Sequence, residues 1–391
     1  MLEFAWDAGV FTASDAMSAT SLTRSTTIDA IDTLVEARVL RELPNARDAG
    51  EYRAGRPARR FELPADLGLV AGLDAGDSHL SLTVADLAGR AILHRRVEID
   101  PAHSIPQRQE AVLHLLESAV AETDVPRDAL LALCVGVAAP VNRDGHSPPH
   151  PEGFWERTNA GLVDLLADRA RVVEVKNDAQ LAATAEGTTG GAVDCRDYVA
   201  LLAGERLGAG VVIDGHLLHG MHGGVGEMFA FDYVRGVDSA FGLGTIIEQR
   251  ARAMIAAGEA APDGALAALR PGEIDARHVL ALAADGDPDA SSIARVAGES
   301  LARIVGVLGS MFDPERVIVC GAIADGVEPV LEAARAALGP HLHLPAPSLV
   351  RSRLGADIVT QGAVLRALDS ARHVALPRLA EERLRGAAAR V

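Results

Sequence analysis

Apolar positions follow two different periods along this chain, and the change from one to the other divides it. Within residues 11–43, FTASDAMSATSLTRSTTIDAIDTLVEARVLREL, Ala16 and Met17 mark a short helical stripe that Thr12 or Ser14 can cap. A TSL break follows. Thr23 then caps a second helix, whose apolar residues Ile28, Ile31, Leu34 and Val35 recur at helical spacing. Val39 and Leu40 begin a strand that leads into an Arg-rich loop and ARRFEL. Helix, tight turn, second helix and β-wing predict a winged helix-turn-helix over residues 1–62. The short Pro/Gly stretch LPADLG, residues 63–68, reads as a linker.

From residue 69 the pattern becomes strand-like. LVAGLDAGDSHLSLTVADLAGRAILHRRVEI (69–99) predicts three strands joined by glycine-containing turns. A helix over about 106–121, a strand over 130–138, a helix over 158–169, a strand over 171–175 and a helix over 179–187 follow. The same grammar restarts at DYVALLAGERLGAGVVIDGHLL (197–218), and a later strand covers 315–322. Residues 69–391 are therefore expected to form an α/β body of two lobes, duplicated internally and dividing near 188–196, with a cleft between them.

Composition narrows the class. The chain has 391 residues, 49% of them hydrophobic, with no apolar run long enough to span a bilayer and no charged-then-apolar leader, so a cytoplasmic location is expected. Cys134, Cys195 and Cys320 are far apart in or beside apolar runs and read as buried thiols. The net charge of −17 argues against wrapping nucleic acid over the whole surface, yet the charge is uneven. Residues 47–60, RDAGEYRAGRPARR, carry five Arg against two acids. That strip suits either contact with an anionic polymer or a solvated loop. With the helical head it favours DNA: Thr23, Arg24, Ser25, Thr26 and Thr27 for the start of the recognition helix, and Arg53, Arg56, Arg59 and Arg60 for the wing. Asp29 and Asp32 would face away from DNA or repel it.

In RVVEVKNDAQLAATAEG (171–187), Asn177 and Asp178 stand between a β-branched run and an Ala-rich helix. Carboxylates avoid apolar surroundings unless paired or used. Asp178 is thus open to three roles: helix cap, ligand contact, or base in phosphoryl transfer.

Five segments in order resemble the ROK family of bacterial sugar kinases and sugar-responsive repressors, over essentially the whole chain. GLDAGDSHLSLTVADLAGRAI is similar to its first phosphate loop, VGVAAPVNRDG to its sugar loop, and VKNDAQLAATAEG to its Asn-Asp helix start. GERLGAGVVIDGHLLHGMHGGVGE resembles the second phosphate loop running into the sugar-binding Glu, and DPERVIVCGAIADG the adenosine-side strand and turn. The winged head joined by Gly-Arg-Pro-Ala is typical of the repressor branch. The resemblance implies an actin-like, two-lobed ATPase fold. It also implies Asp178 at the position of the base, Asn177 donating to sugar hydroxyls and Glu227 accepting from others. Asp74, Gly76, Ser78, Gly208 and Gly210 are the counterparts of the phosphate loops.

The departures carry equal weight. Asp77 stands where the kinases have a small residue, and Glu205 and Arg206 where they have a small residue and Gly. A carboxylate facing phosphate is repulsive unless a metal or Arg intervenes, and bulky side chains block close backbone approach. Glu205 and Arg206 could instead pair with each other. At the family's zinc segment this chain reads GEMFAFDYVRGVDSAFGLGTIIE, with Ala230 at the His position and no cysteine between Cys195 and Cys320. Phe229 and Phe231 are expected to fill that space. No cofactor is therefore expected, neither zinc nor ATP-Mg. The expectation is a DNA-binding regulator, a homodimer or homotetramer, controlled by a carbohydrate or related metabolite. The alternatives are an ATP-dependent sugar kinase and a constitutive DNA binder whose body only dimerises.

Overall fold

Two threonine hydroxyls open the helices of the head. Met1–Ala8 begins with α1 (Leu2–Ala8), and β1 (Phe11–Thr12) follows. Thr12 accepts from the Asp15 backbone N–H while Asp15 accepts in return from Thr12, a reciprocal cap that starts α2 (Ala13–Thr20). Ser21 takes a left-handed conformation with φ 57°, making the tight turn. Thr23 then caps α3 (Arg24–Glu36) through the Thr26 N–H. The face of α3 carrying Thr27, Ile31 and Leu34 is buried. Val39 and Leu40 are buried too, but in a turn closed by N–H bonds to the Leu34 carbonyl and by Arg38 at φ 55°. The strand therefore starts later than the hydrophobic pattern suggests, as β2 (Arg41–Leu43), and pairs antiparallel with β3 (Arg60–Glu62) in a sheet ordered β1-β3-β2. The structure, a computed structural model, describes residues 1–44, 58–123, 129–237, 239–339, 342 and 344–388. The wing residues Arg53 and Arg56 lie outside them.

The body shows the duplication. Its first lobe contains β4 (Leu69–Ala75), β5 (His79–Asp86), β6 (Ala91–Glu98), α4 (Ile105–Ala121), β7 (Leu130–Val137), α5 (Phe154–Asn159), α6 (Leu162–Leu165), β8 (Val172–Asn177) and α7 (Asp178–Thr189). Its sheet is ordered β6-β5-β4-β7-β8, with the first three strands antiparallel and the last three parallel. The second lobe contains β9 (Tyr198–Leu202), β10 (Gly208–Ile213), β11 (His216–Leu217), α8 (Leu243–Ala256), α9 (Ala276–Ala284), α10 (Pro288–Phe312), β12 (Arg316–Cys320), α11 (Glu328–Leu338) and β13 (Ser348–Arg351). Its sheet, β11-β10-β9-β12-β13, repeats the same order and directions. The single helix expected over 158–169 is instead two short ones. Ala160 and Gly161 are both left-handed, at φ 50° and 66°, and break it.

The chain crosses between lobes twice. After β13, α12 (Ile358–Ser370) returns to pack on β4 and α7; a Cβ at Gly362 would lie 2.0 Å from the Leu181 carbonyl oxygen. A π-helical turn, Ala371–Ala375, leads into α13 (Leu376–Ala388). Ala375, Leu376, Leu379 and Ala380 share one apolar cluster with Phe11, Ile31 and Leu34 of the head. Arg383 donates to the Arg38 carbonyl at 2.8 Å, and Arg372 pairs with Asp7 at 2.5 Å. Head and body are thus joined by the C-terminal helices as well as by the 63–68 connection. No described helix is long and apolar enough to cross a membrane.

Candidate functional site

Helix α7 brings the central carboxylate to the cleft. Asn177 is its N-cap: Oδ1 accepts from the Gln180 N–H at 3.0 Å, and Nδ2 donates to the Ala139 carbonyl at 3.2 Å. This corrects one expectation: capping falls to Asn177 rather than Asp178. The Asn177 side chain also lines the cleft, and its Nδ2 carries a second N–H beyond the one given to Ala139. Asp178, the first helical residue, accepts from the Ala179 N–H at 2.7 Å and lines the cleft between the lobes. Gly208, Glu227, Arg206, Trp155, Phe154 and Phe229 also line that cleft.

The electrostatics are unusual for carboxylates. Burial first, then the neighbouring charges of Asp74 and Glu227, push the Asp178 carboxyl up to about 8. Burial also raises Glu227 to about 7, against the opposing pull of Arg206. Near neutral pH Asp178 is largely protonated, a hydroxyl donor as well as an acceptor, and Glu227 is about half so. Asp74 is buried and bonded at 3.0 Å to His79 Nε2.

The phosphate loops meet each other. Ser78 Oγ donates to Glu205 Oε1 at 3.0 Å, across the gap between the β4–β5 and β9–β10 loops. The alternative that Glu205 and Arg206 pair with each other is not what the structure has: Glu205 turns to the other lobe, and Arg206 lies over the Phe154 ring at 4.4 Å. An arginine does stand beside Asp77, since Arg157 lies 3.7 Å from its carboxylate. Gly210 serves packing: an added Cβ would sit 2.2 Å from the Ala179 carbonyl oxygen, so the glycine is what lets α7 lie against β10. Gly76 is buried beneath the first loop, next to the His79 ring.

Several contributors escaped the pattern reading. Arg108 of α4 is 1% exposed and donates to the Gly76 carbonyl at 2.7 Å and the Asp77 carbonyl at 3.1 Å, holding the first loop from behind. Its signal was a charge on the same helical face as Val112, Leu115 and Leu116. His150, Trp155 and Phe229 form an aromatic wall, with ring centroids 4.7 Å (His150–Trp155) and 5.7 Å (Trp155–Phe229) apart. In a chain with 3% aromatic residues, the FW pair of EGFWERTN was the available clue. Phe231 is buried in the second lobe. With Ala230 and two phenylalanines in the family's zinc segment, the donor set there does not fit Zn²⁺.

The head residues divide by exposure. Thr23, Arg24, Ser25 and Thr26 are exposed at the start of α3. Thr27 is not: it is fully buried and its hydroxyl donates to the Thr23 carbonyl at 2.9 Å, so its expected DNA contact is replaced by a packing role. Arg59 bonds Glu42 at 2.8 Å and Asp32 at 2.7 Å, which holds the wing to α3 and satisfies its charge internally. Arg60 is a half-buried residue of β3, paired on both sides by β1 and β2.

A winged helical head ahead of a duplicated α/β body, with a carboxylate-bearing cleft between the lobes, defines a class: proteins built on the two-lobed, actin-like sugar-kinase fold. A family model described as the ROK family matches residues 70–369, and the chain belongs to that family. The chain is 27% identical over 297 residues to a glucokinase of Streptomyces coelicolor, covering 69% of this chain and 86% of that protein. It is 24% identical over 322 residues to the DNA-binding transcriptional dual regulator NagC of Escherichia coli, covering 77% of this chain and 74% of NagC. The crystal structure of a ROK family transcriptional regulator, described as a homolog of E. coli MLC protein, superposes with a TM-score of 0.73. That match covers 95% of both chains at 21% identity and shows the shared fold, head included.

Proposed function

We propose that this protein is a DNA-binding transcriptional regulator, acting as a repressor, whose cleft binds a carbohydrate without phosphorylating it. The observation that carries the proposal is the Ser78–Glu205 bond at 3.0 Å, which sets a carboxylate, repulsive to phosphate, between the two loops that resemble the family's phosphate loops. The exposed start of α3, with Thr23, Arg24, Ser25 and Thr26, supplies groups for phosphates and base edges, and the similarity to NagC spans 77% of this chain. Control needs a ligand that binds one DNA-affinity state better than the other. The route for it runs from Asp178 on α7 through α12 and the π turn to α13, which packs on the head. In a homodimer, moving two heads changes their spacing relative to half-sites one helical turn apart.

A second reading, an ATP-dependent sugar kinase, is favoured by Asp178: a carboxyl raised to about 8 in the cleft is well tuned as a base, and the glucokinase similarity is of comparable strength. Two measurements on the full chain separate them. Selection from a random DNA pool followed by gel shift is expected to yield a specific site released by a carbohydrate. A coupled ADP-release assay over a hexose panel is expected to stay at background. Turnover that Asp178→Ala abolishes would establish the kinase.

A further inference from the structure

Arg206 is a cation of the cleft with no acceptor among the described residues. Its guanidinium is stacked 4.4 Å from the Phe154 ring centre and 5.9 Å from that of Phe229, and its side chain makes no hydrogen bond or ion pair with the described residues. Ring stacking fixes the plane of a guanidinium while leaving its N–H edge free, and that edge matches a carboxylate or phosphate bidentately. An arginine cannot shed its charge to relieve the situation. A second guanidinium, Arg157, lies 5.4 Å from the same Phe154 ring, but its charge is met by Asp77 at 3.7 Å, which leaves Arg206 as the cation of this wall without a bonded carboxylate among the described residues.

Neither carboxyl of the cleft is bonded to it. Glu227 feels Arg206 through space but forms no ion pair with it, and Asp178 is largely protonated at neutral pH. Protonated carboxyls both donate and accept, which suits vicinal hydroxyls and leaves the guanidinium for an anion. The aromatic wall of Trp155 and Phe229 offers an apolar face for the C–H side of a pyranose ring.

We propose that the cleft takes an anionic carbohydrate, a sugar acid or sugar phosphate, with its charged group on Arg206 and its hydroxyls on Asp178 and Glu227. This rests on the carbohydrate-sensing reading above and narrows its ligand class. Calorimetric titration of the full chain with glucuronate, glucose 6-phosphate and glucose tests it. One of the two anions is expected to bind at least tenfold more tightly than glucose, and which one does so distinguishes carboxylate from phosphate. Arg206→Met, which keeps apolar contact with Phe154, is expected to lose at least tenfold for that anion and less than twofold for glucose. Arg206→Lys, which keeps the charge without the planar fork, is expected to fold and to lose at least threefold. Glucose binding as tightly as both anions, or either variant binding the anion like wild type, overturns the inference and leaves sugar sensing standing. Binding of none of the three overturns both.

Discussion

Ser78 and Glu205, 127 residues apart in sequence, are joined by a 3.0 Å hydrogen bond that ties the first phosphate loop to the second. These loops resemble the two phosphate loops of the family's kinases; here a hydroxyl of one meets a carboxylate of the other. The net worth of such a bond is about 1 kcal/mol, so its main consequence is steric and electrostatic rather than a large gain in stability. Replacing Glu205 with Ala is expected to remove a negative charge from the phosphate path and raise affinity for a fluorescent ATP analogue at least tenfold. Unchanged nucleotide affinity would mean that Glu205 is not the obstacle.

Asp178 and Glu227 make stability depend on pH in a particular direction. Both carboxyls are raised in the folded chain, to about 8 and about 7, so between their unfolded values and these the folded state holds more protons. The neutral forms are favourable at low pH, and their advantage is lost as pH rises through 7 and 8. Asp178→Asn cannot ionise. Calorimetric melting of the ligand-free protein is expected to show this variant gaining melting temperature relative to wild type at pH 8.5 and little at pH 5. A gain equal at both pH values would refute the raised carboxyl.

Gly210 sets the position of α7, because a Cβ there meets the Ala179 carbonyl oxygen at 2.2 Å and the Ala183 methyl at 2.5 Å. Gly210→Ala is expected to cost about 1–3 kcal/mol, read as a lower urea midpoint, because a packed helix must move outward. Since that helix carries Asp178, carbohydrate affinity should fall with it. A variant of wild-type stability would show that the helix yields freely.

The C-terminal helix is the mechanical link to the head. Leu379 is buried in the cluster that includes Ile31 and Leu34 of the head. Leu379→Ala is expected to cost about 2–5 kcal/mol locally and to loosen the head from the body. Limited proteolysis should then cut faster near residues 63–68, while carbohydrate affinity stays near wild type and the ligand no longer changes DNA affinity. Retained ligand-dependent release would place the coupling elsewhere.

DNA contact separates exposed from buried residues of α3. Arg24→Ala is expected to weaken binding across sequences and to reduce the salt slope by about one. Thr27→Ala is expected to lower the stability of the head and leave the salt slope alone, because its hydroxyl serves the Thr23 carbonyl. Gel shifts over a salt series distinguish the two.

Much was legible in the amino-acid order. The stripe Ile28, Ile31, Leu34 required a helix and Thr23 its start, because apolar spacing and a hydroxyl before it are local properties. The repeated strand–glycine–strand opening at 69 and 197 announced two lobes with matching sheets, and the Asn177-Asp178 pair announced a site at a strand–helix junction. Partner choice was decided elsewhere. Whether Glu205 meets Arg206 beside it or Ser78 in the other lobe, whether Thr27 faces DNA or core, and whether Asn177 or Asp178 caps α7 depend on where distant backbone lies. So does the return of α12 and α13 to the first lobe and the head. Periodicity specifies which face of an element is buried, but hydrogen bonds and ion pairs act over about 3 Å, a distance that only the folded chain brings together.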